Sequence, residues 1–248
     1  MTRPIHPMSP RFQLRRAAFV AALVTLFSLS ACLTPAPGHV PSPDEELARL
    51  LDELRDARGG EFATEEPGTG DGIREAQIAR EIQSLALTFP RHVPVLVASA
   101  SLAYERRDPV GAQKLLDQAL RLDPAHVPAV LLRVRIAAEG GNLPYARRRL
   151  AEQIELTPDE PSLREANGGV LYLLGDYDEA LAELDLADRF RAEGEGTWKA
   201  DYHRGLIFEA QGRPDEALAF YRKSAEGNPD FASATRRLRW LEASTGQE

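Results

Sequence analysis

From Asp44 onward, apolar residues return every three or four positions with polar residues between them, a spacing that gathers the apolar set on one face of a helix. Asp44 to Arg58 reads as a first helix. Asp44, Glu45 and Glu46 stand where the helix dipole favours acids, and Leu47, Leu50, Leu51 and Leu54 form its apolar stripe. Gly59 and Gly60 stop it, and residues 59–72, with Pro67, Gly68, Gly70 and Gly72, read as a loop. A second helix is predicted from about Ile73 to Thr88, with Ile78, Ile82 and Leu85 turned inward, before Phe89 and Pro90 end it. Runs of alternating β-branched residues are missing, whereas alanine, leucine, arginine and glutamate, all good helix formers, are abundant. The predicted class is all-α.

Further along, the pattern repeats on a longer scale. Ala112, Ala146 and Ala180 are 34 residues apart, and Ala217 follows after 37. Gly175-Asp176-Tyr177-Asp178-Glu179-Ala180-Leu181 is echoed by Gly212-Arg213-Pro214-Asp215-Glu216-Ala217-Leu218. A period this long is one supersecondary unit used repeatedly. Leu116, Leu150, Leu184 and Tyr221 each fall four residues after an alanine, on the same helical face, and are expected to pack beside it. Alanine lets two antiparallel helices approach closely without losing helix propensity. A larger side chain there would overpack, at a cost of about 1–3 kcal/mol.

From Val93 this pattern resembles the tetratricopeptide repeat, a 34-residue helix–turn–helix. Four units fall at 93–126, 127–160, 161–194 and 198–231. In that family a glycine begins the turn, alanine opens the buried seam of the second helix, and proline ends the unit. Gly141, Gly175 and Gly212 match the turn, where the first unit has Arg107. Pro124, Pro158 and Pro229 match the terminal proline, where the third unit has Ala192. Gly168 and Gly205 match a small position late in the first helix, where the second unit has Val134. The family's early tryptophan is matched in no unit. Units one and two are the degenerate ones, and units three and four the faithful ones. The resemblance implies an α-α superhelix, a solenoid of antiparallel helix pairs. Residues 44–92 would be a divergent N-terminal pair, and 232–248 a capping helix and tail, with Leu238 and Leu241 on one side and Arg236, Arg237 and Arg239 on the other. Residues 193–197 stretch the third connection by three residues.

Charge is unevenly placed. Residues 1–31 hold Arg3, Arg11, Arg15 and Arg16 and no acid, so the formal charge of −8 for the whole chain becomes −12 without them. A basic leader followed by Ala17 to Ser30, uncharged and mostly apolar, has the size of a secretory signal and falls short of the roughly 20 residues that span a bilayer. Leu29-Ser30-Ala31-Cys32 resembles the lipobox of bacterial lipoproteins, which implies a signal peptide over 1–31 and a lipid on Cys32, the only cysteine. By the same resemblance Leu33, standing where an aspartate would retain the protein in the inner membrane, favours the outer membrane. The Arg15-Arg16 pair leaves the general and the twin-arginine export routes both open. Residues 32–43 then read as the lipidated cysteine and a proline-rich linker, with four prolines between Thr34 and Pro43 that favour a semi-rigid spacer.

Little in this sequence carries chemistry of its own. His6, His39, His92, His126 and His203 have no metal-site spacing, and none pairs with Cys32. The glycines at 68, 70 and 72 lack the lysine and preceding strand of a phosphate loop. An acidic body lacks the clustered positive footprint that nucleic acid needs. No catalytic residue, metal, cofactor or small-molecule substrate is assigned. The expected working surface is the inner wall, which in the family is lined by the first helix of each unit. Helical spacing places Val97, Ser101 and Tyr104 there in the first unit, and Leu131 and Arg135 in the second. Glu165, Gly169 and Tyr172 follow in the third, then Tyr202, Leu206 and Glu209 in the fourth. Tyrosine and arginine are typical anchors at interfaces; tyrosines that only fill the superhelix's own interior are the alternative. Arg147, Arg148 and Arg149 make a second candidate, a basic docking patch, with a solvated face paired to Glu152 and Glu155 as its plainer reading.

The resemblance therefore implies a membrane-anchored, non-enzymatic adaptor or scaffold that binds envelope proteins, as do lipoproteins serving pilus or outer-membrane assembly. A self-assembling envelope subunit and an accessory domain of a peptidoglycan-enzyme complex are the competing expectations.

Overall fold

A computed structural model of the chain describes residues 40–59, 70–192 and 196–245. The signal and lipobox with Cys32, most of the proline linker, residues 60–69 of the predicted loop and residues 193–195 of the third connection lie outside the described residues. The chain divides into two units at Ser42, and Pro43–Glu248 carries every helix that follows.

The described residues are all-α. Helices α1 (Pro43–Gly59) and α2 (Gly70–Thr88) open the array. Four pairs follow: α3 (Val93–Glu105) with α4 (Pro109–Leu122), α5 (Val127–Glu139) with α6 (Leu143–Leu156), α7 (Pro161–Leu174) with α8 (Tyr177–Phe190), and α9 (Trp198–Ala210) with α10 (Pro214–Gly227). Helix α11 (Ala232–Thr245) closes it. Each helix packs on the next, and α3, α5, α7 and α9 also touch one another in series, which makes them one continuous wall. This is the expected solenoid of antiparallel pairs.

Helix ends are written locally. Proline occupies the first turn of α3, α4, α5, α6, α7 and α10, where its missing N–H costs nothing. Asp108 accepts from the Gly111 amide at 2.8 Å and Asn142 from the Tyr145 amide at 3.3 Å, capping α4 and α6. The junction histidines act here too: His126 Nδ1 accepts from the Ala129 amide at 3.3 Å, and His92 Nε2 lies 3.1 Å from Asp44.

All four turns use the same device. The amides of Asp108, Asn142, Asp176 and Arg213 donate to the carbonyls of Ala103, Ala137, Leu171 and Phe208, five residues back. This bond requires a left-handed residue just before it. Gly141, Gly175 and Gly212 supply it with φ of 80°, 85° and 73°. Arg107 supplies it with φ of 64°, although a side chain makes that conformation costly by about 1–2 kcal/mol.

The seam matches the spacing argument. Ala112, Ala146, Ala180 and Ala217 are fully buried, and so are Leu116, Leu150, Leu184 and Tyr221 beside them. Gly168 and Gly205 are the close approaches: a Cβ on Gly168 would stand 2.8 Å from Leu184 Cδ2, and one on Gly205 would stand 2.5 Å from Tyr221 Cε1. The core is accordingly a row of small clusters, each shared between neighbouring helices.

Two expectations need correction at the N-terminal end. Leu47, Leu50 and Leu54 are buried, but Leu51 is 39% exposed, because a stripe three residues wide already fills the contact with α2. Helix α2 begins at Gly70, within the stretch read as a loop. First-turn amides have no intrahelical acceptor to lose, so glycines near the start do not prevent helix there.

The junctions between units differ in chemistry. Between units two and three, exposed Arg147 bridges to Asp176 at 3.0 Å and Glu179 at 2.8 Å. Between units three and four, Arg204 meets Asp188 at 2.7 Å and Asp185 at 2.9 Å, with Asp201 of its own helix at 3.5 Å, and beside them Arg191 meets Glu165 at 3.0 Å within unit three. Arg204 is buried, and Thr197 Oγ1 donates to Asp201 at 2.7 Å. At the far end, Leu241 is buried and Leu238 partly so against Tyr221 and Leu218, while Trp240 remains exposed.

Candidate binding groove

The wall formed by α5, α7 and α9 encloses an open cavity of about 650 Å³. Of the residues placed on the inner wall by helical spacing, Leu131, Arg135, Glu165, Gly169, Tyr172, Tyr202 and Leu206 line it. They come together because each lies on the same face of a first helix, and the first helices are stacked in register. Tyr104 and Glu209 stand outside its lining. Tyr104 gives its hydroxyl to Glu139 and lies 5.7 Å from the Arg135 guanidinium. Glu209 accepts from the Tyr221 hydroxyl at 2.6 Å and from Arg237 at 2.8 Å, so it holds α9 to α10 and α11.

Sequence spacing missed three important lining residues: Trp198, His203 and Phe231. Trp198 precedes Tyr202 by one helical turn, so extending the stripe backwards would have found it. Phe231 lies beyond the end of α10, where no periodic signal exists. Together they form an aromatic cluster: Trp198 and Phe231 centroids are 4.8 Å apart, and Tyr202 meets Phe231 edge-on at 5.0 Å. Tyr202 also rests on Tyr221 at 5.8 Å. It therefore serves both expectations, one side filling the array's interior and the other lining the cavity.

Gly169 is small for a reason visible here. A Cβ at that position would lie 2.9 Å from His203 Nε2, so the glycine lets the imidazole lie flat against α7. Burial pushes His203 down to about 4, against a weak pull from the Lys199 carbonyl, which approaches the ring without well-aligned hydrogen-bond geometry. The ring is thus neutral at physiological pH. Burial also raises Glu165 above the ordinary carboxylate range, and Arg191 and Lys199 oppose that rise. Tyr172 and Tyr202 are raised by burial as well, so both hydroxyls stay protonated. The cavity is mostly apolar, with a few polar groups at its rim, the character of a recognition pocket.

The three consecutive arginines do not form one free surface. Arg147 is spent on Asp176 and Glu179, and Arg149 donates to the Pro124 carbonyl at 2.8 Å. Arg148 is the most exposed; it reaches Glu152 only at 3.8 Å and lies 5.9 Å from the Tyr145 ring. Glu152, as expected, is a partner of this stretch. Among the described residues no group of three or more His, Cys, Asp or Glu is placed to hold a metal ion, and no helix is long and apolar enough to cross a membrane.

Models of the tetratricopeptide repeat match residues 103–167 and 171–233, together just over half of the chain. Tetratricopeptide repeat protein 36 of Xenopus tropicalis is 33% identical over 97 residues, which is 39% of this chain and 48% of that one. The chain thus spans about half of that relative's length. Two solved structures resemble the whole array. A tetratricopeptide repeat protein from Parabacteroides merdae has a TM-score of 0.63 at 18% identity, covering 92% of this chain and 80% of its own. TTC0263, a thermophilic repeat protein in Thermus thermophilus, has a TM-score of 0.64 at 18% identity, covering 81% and 98%. At such identities the likeness concerns the fold.

Proposed function

Because the chain belongs to the tetratricopeptide repeat family, whose fold typically serves as a non-catalytic scaffold for protein–protein contacts, we propose that it is an adaptor whose α5–α7–α9 groove holds a segment of a partner protein. The single observation that carries this reading is the cavity itself. Trp198, Tyr202, Phe231, Leu131 and Leu206 offer apolar area around a volume that accepts one or two large side chains. Rigid aromatic rings bury area at small entropic cost, which is why such residues dominate binding energy at interfaces.

The adaptor works at a membrane in this reading. The basic leader, the short apolar stretch and Leu29-Ser30-Ala31-Cys32 support export and lipidation of Cys32 in a bacterial envelope, with Leu33 favouring the outer membrane. A lipid anchor followed by a proline-rich spacer would present the groove to envelope partners near the bilayer. Assembly of an outer-membrane or pilus machine is the kind of task that fits.

Two experiments test the two halves separately. Photocrosslinking from position 206 in living cells should capture a discrete envelope protein, and Leu131→Glu should abolish that product. Crosslinks only between copies of the chain would favour a self-assembling subunit instead. For the anchor, Cys32→Ala should leave an unprocessed precursor that incorporates no labelled fatty acid. Mature-sized, membrane-bound Cys32→Ala protein would end the lipoprotein reading and leave the groove reading standing.

A further inference from the structure

The carboxylates and cations around the groove are not balanced. Glu139 is held by Arg135 and Tyr104, Glu165 by Arg191, and Glu209 by Arg237 and Tyr221. Each acid at or beside the groove already has a partner within the chain. Two cations at the C-terminal mouth do not. Lys199, exposed on the cavity rim, rests its ammonium on the Trp198 ring at 5.1 Å and acts on Glu165, which Arg191 already holds, only from beyond ion-pair distance. Arg236, exposed on α11, donates only to the Ala232 carbonyl at 3.3 Å. Among the described residues neither makes an ion pair, in a chain whose formal charge is −8.

These cations border two neighbouring hollows. Tyr202 lines the main cavity and also a second hollow of about 310 Å³ formed with Ser233, Arg236, Arg237 and Trp240. The aromatic pocket and this hollow thus meet at one side chain, Tyr202, beside α11. Arg237 lies 5.2 Å from the Trp240 ring, and Trp240 is 56% exposed, so the second hollow pairs cationic groups with an uncovered indole face. A segment long enough to reach from one hollow to the other would meet apolar surface in the first and the Arg236 guanidinium in the second.

We infer that the groove's occupant is an acidic protein segment with one bulky apolar side chain: that side chain fills the pocket between Tyr172 and Phe231, and adjacent aspartate or glutamate side chains face Lys199 and Arg236. This rests on the groove reading above and adds to it the chemistry of the partner. Opposite charge at a rim steers encounter and selects partners, and it does so most strongly at low salt. A basic segment, by contrast, would place like charges together at the mouth, where Glu139, Glu165 and Glu209 are already held by cations of the chain.

The test uses the full-length chain and fluorescein-labelled, C-terminally amidated decapeptides, so that any carboxylate read belongs to a side chain. One peptide has a central leucine between aspartates and glutamates, a second has the same leucine between lysines, and a third is acidic without the leucine. Fluorescence anisotropy should show the first binding at least tenfold more tightly than the other two, with an affinity that weakens as salt rises. Lys199→Glu combined with Arg236→Glu should weaken the first peptide by about 5- to 20-fold, the scale of two exposed charge pairs reversed, and improve the second. Arg91→Glu combined with Arg121→Glu changes the net charge equally, away from the pocket, and should leave the affinity within twofold. Equal binding of acidic and basic leucine peptides, lost in Leu131→Glu, would overturn the charge preference while keeping the groove. No leucine peptide binding that Leu131→Glu removes would overturn both. Binding of vesicles containing one third phosphatidylglycerol, abolished by the double reversal at 199 and 236 while no peptide binds, would assign the cations to a membrane and overturn the inference.

Discussion

Units one and two fill the space between their paired helices with Ala100 and Val134, whereas units three and four leave it to Gly168 and Gly205, against which Leu184 and Tyr221 press directly. The junctions differ in parallel. Units two and three are bridged by an exposed arginine, Arg147, while units three and four are locked by buried Arg204 among three aspartates. The second junction is also the one whose connection is three residues longer. A longer connection restrains the next helix less by chain length alone, and side-chain charges fix its position instead. The degenerate half keeps the same turns and the same buried alanines. What makes a unit is thus the seam and the five-back turn bond, and several substitutions elsewhere are tolerated if those two survive.

The sharpest way to break this comparison is at the two bridging arginines. Arg204→Ala should destabilise the array by about 3 kcal/mol, because it leaves buried Asp201 with the Thr197 hydroxyl but no cation and Asp188 without its closest cation. Arg147→Ala should cost less than about 1 kcal/mol, since its pairs are exposed. Urea denaturation with hydrogen exchange by peptide would check both, and similar losses at the two sites would remove the distinction.

Next in size is the glycine contact. Gly205→Ala should cost about 1–3 kcal/mol by driving a methyl into the Tyr221 ring. The loss should appear in exchange rates of α9 and α10 and spare α3 and α4. Acidification offers a third probe of the same half. His203 is near 4 in the folded chain against an ordinary 6.5, so its contribution to stability is present above pH 6.5 and is lost as pH falls toward 4. After screening by the open cavity this amounts to about 1 kcal/mol. His203→Gln should flatten the pH dependence of the melting temperature across that window; an unchanged slope would assign it to other groups.

The smallest effect is a gain. Arg107→Gly removes a side chain from a left-handed position but loosens the unfolded chain, so it should stabilise unit one by up to about 1 kcal/mol. Gly175→Ala, the reverse change at the equivalent turn of unit three, should destabilise by a similar amount. If both substitutions moved stability in the same direction, the turns would not be equivalent.

Much of this was legible in the amino-acid order. The alanine beat, the leucines four residues later and the glycines at the turns specify helix pairs, because each rests on contacts within one short period. The inner wall was legible as far as a helical stripe can be followed, which explains Leu131, Tyr172, Tyr202 and Leu206. Phe231 was not, because it lies outside any helix, in the connection between α10 and α11, where no stripe can be followed. Nor was Arg204: its place on α9 reads as polar surface until Asp185 and Asp188 arrive from α8. Glu209 shows the opposite failure, since the stripe predicts a groove-facing carboxylate and α11 takes it as an internal partner.

The glycine–ring contact between Gly205 and Tyr221 also bears on how such a chain can change. A notch on one helix is cut for a particular knob on the next, and unit two has a different set, Val134 with Leu150. Transplanting α9 alone into the second unit would bring a notch with nothing to fill it. Transplanting α10 alone would drive a phenol ring into a valine. Despite their common outline the units are not interchangeable bricks. Duplication or recombination in this array should succeed at boundaries between pairs and fail at cuts through the middle of one.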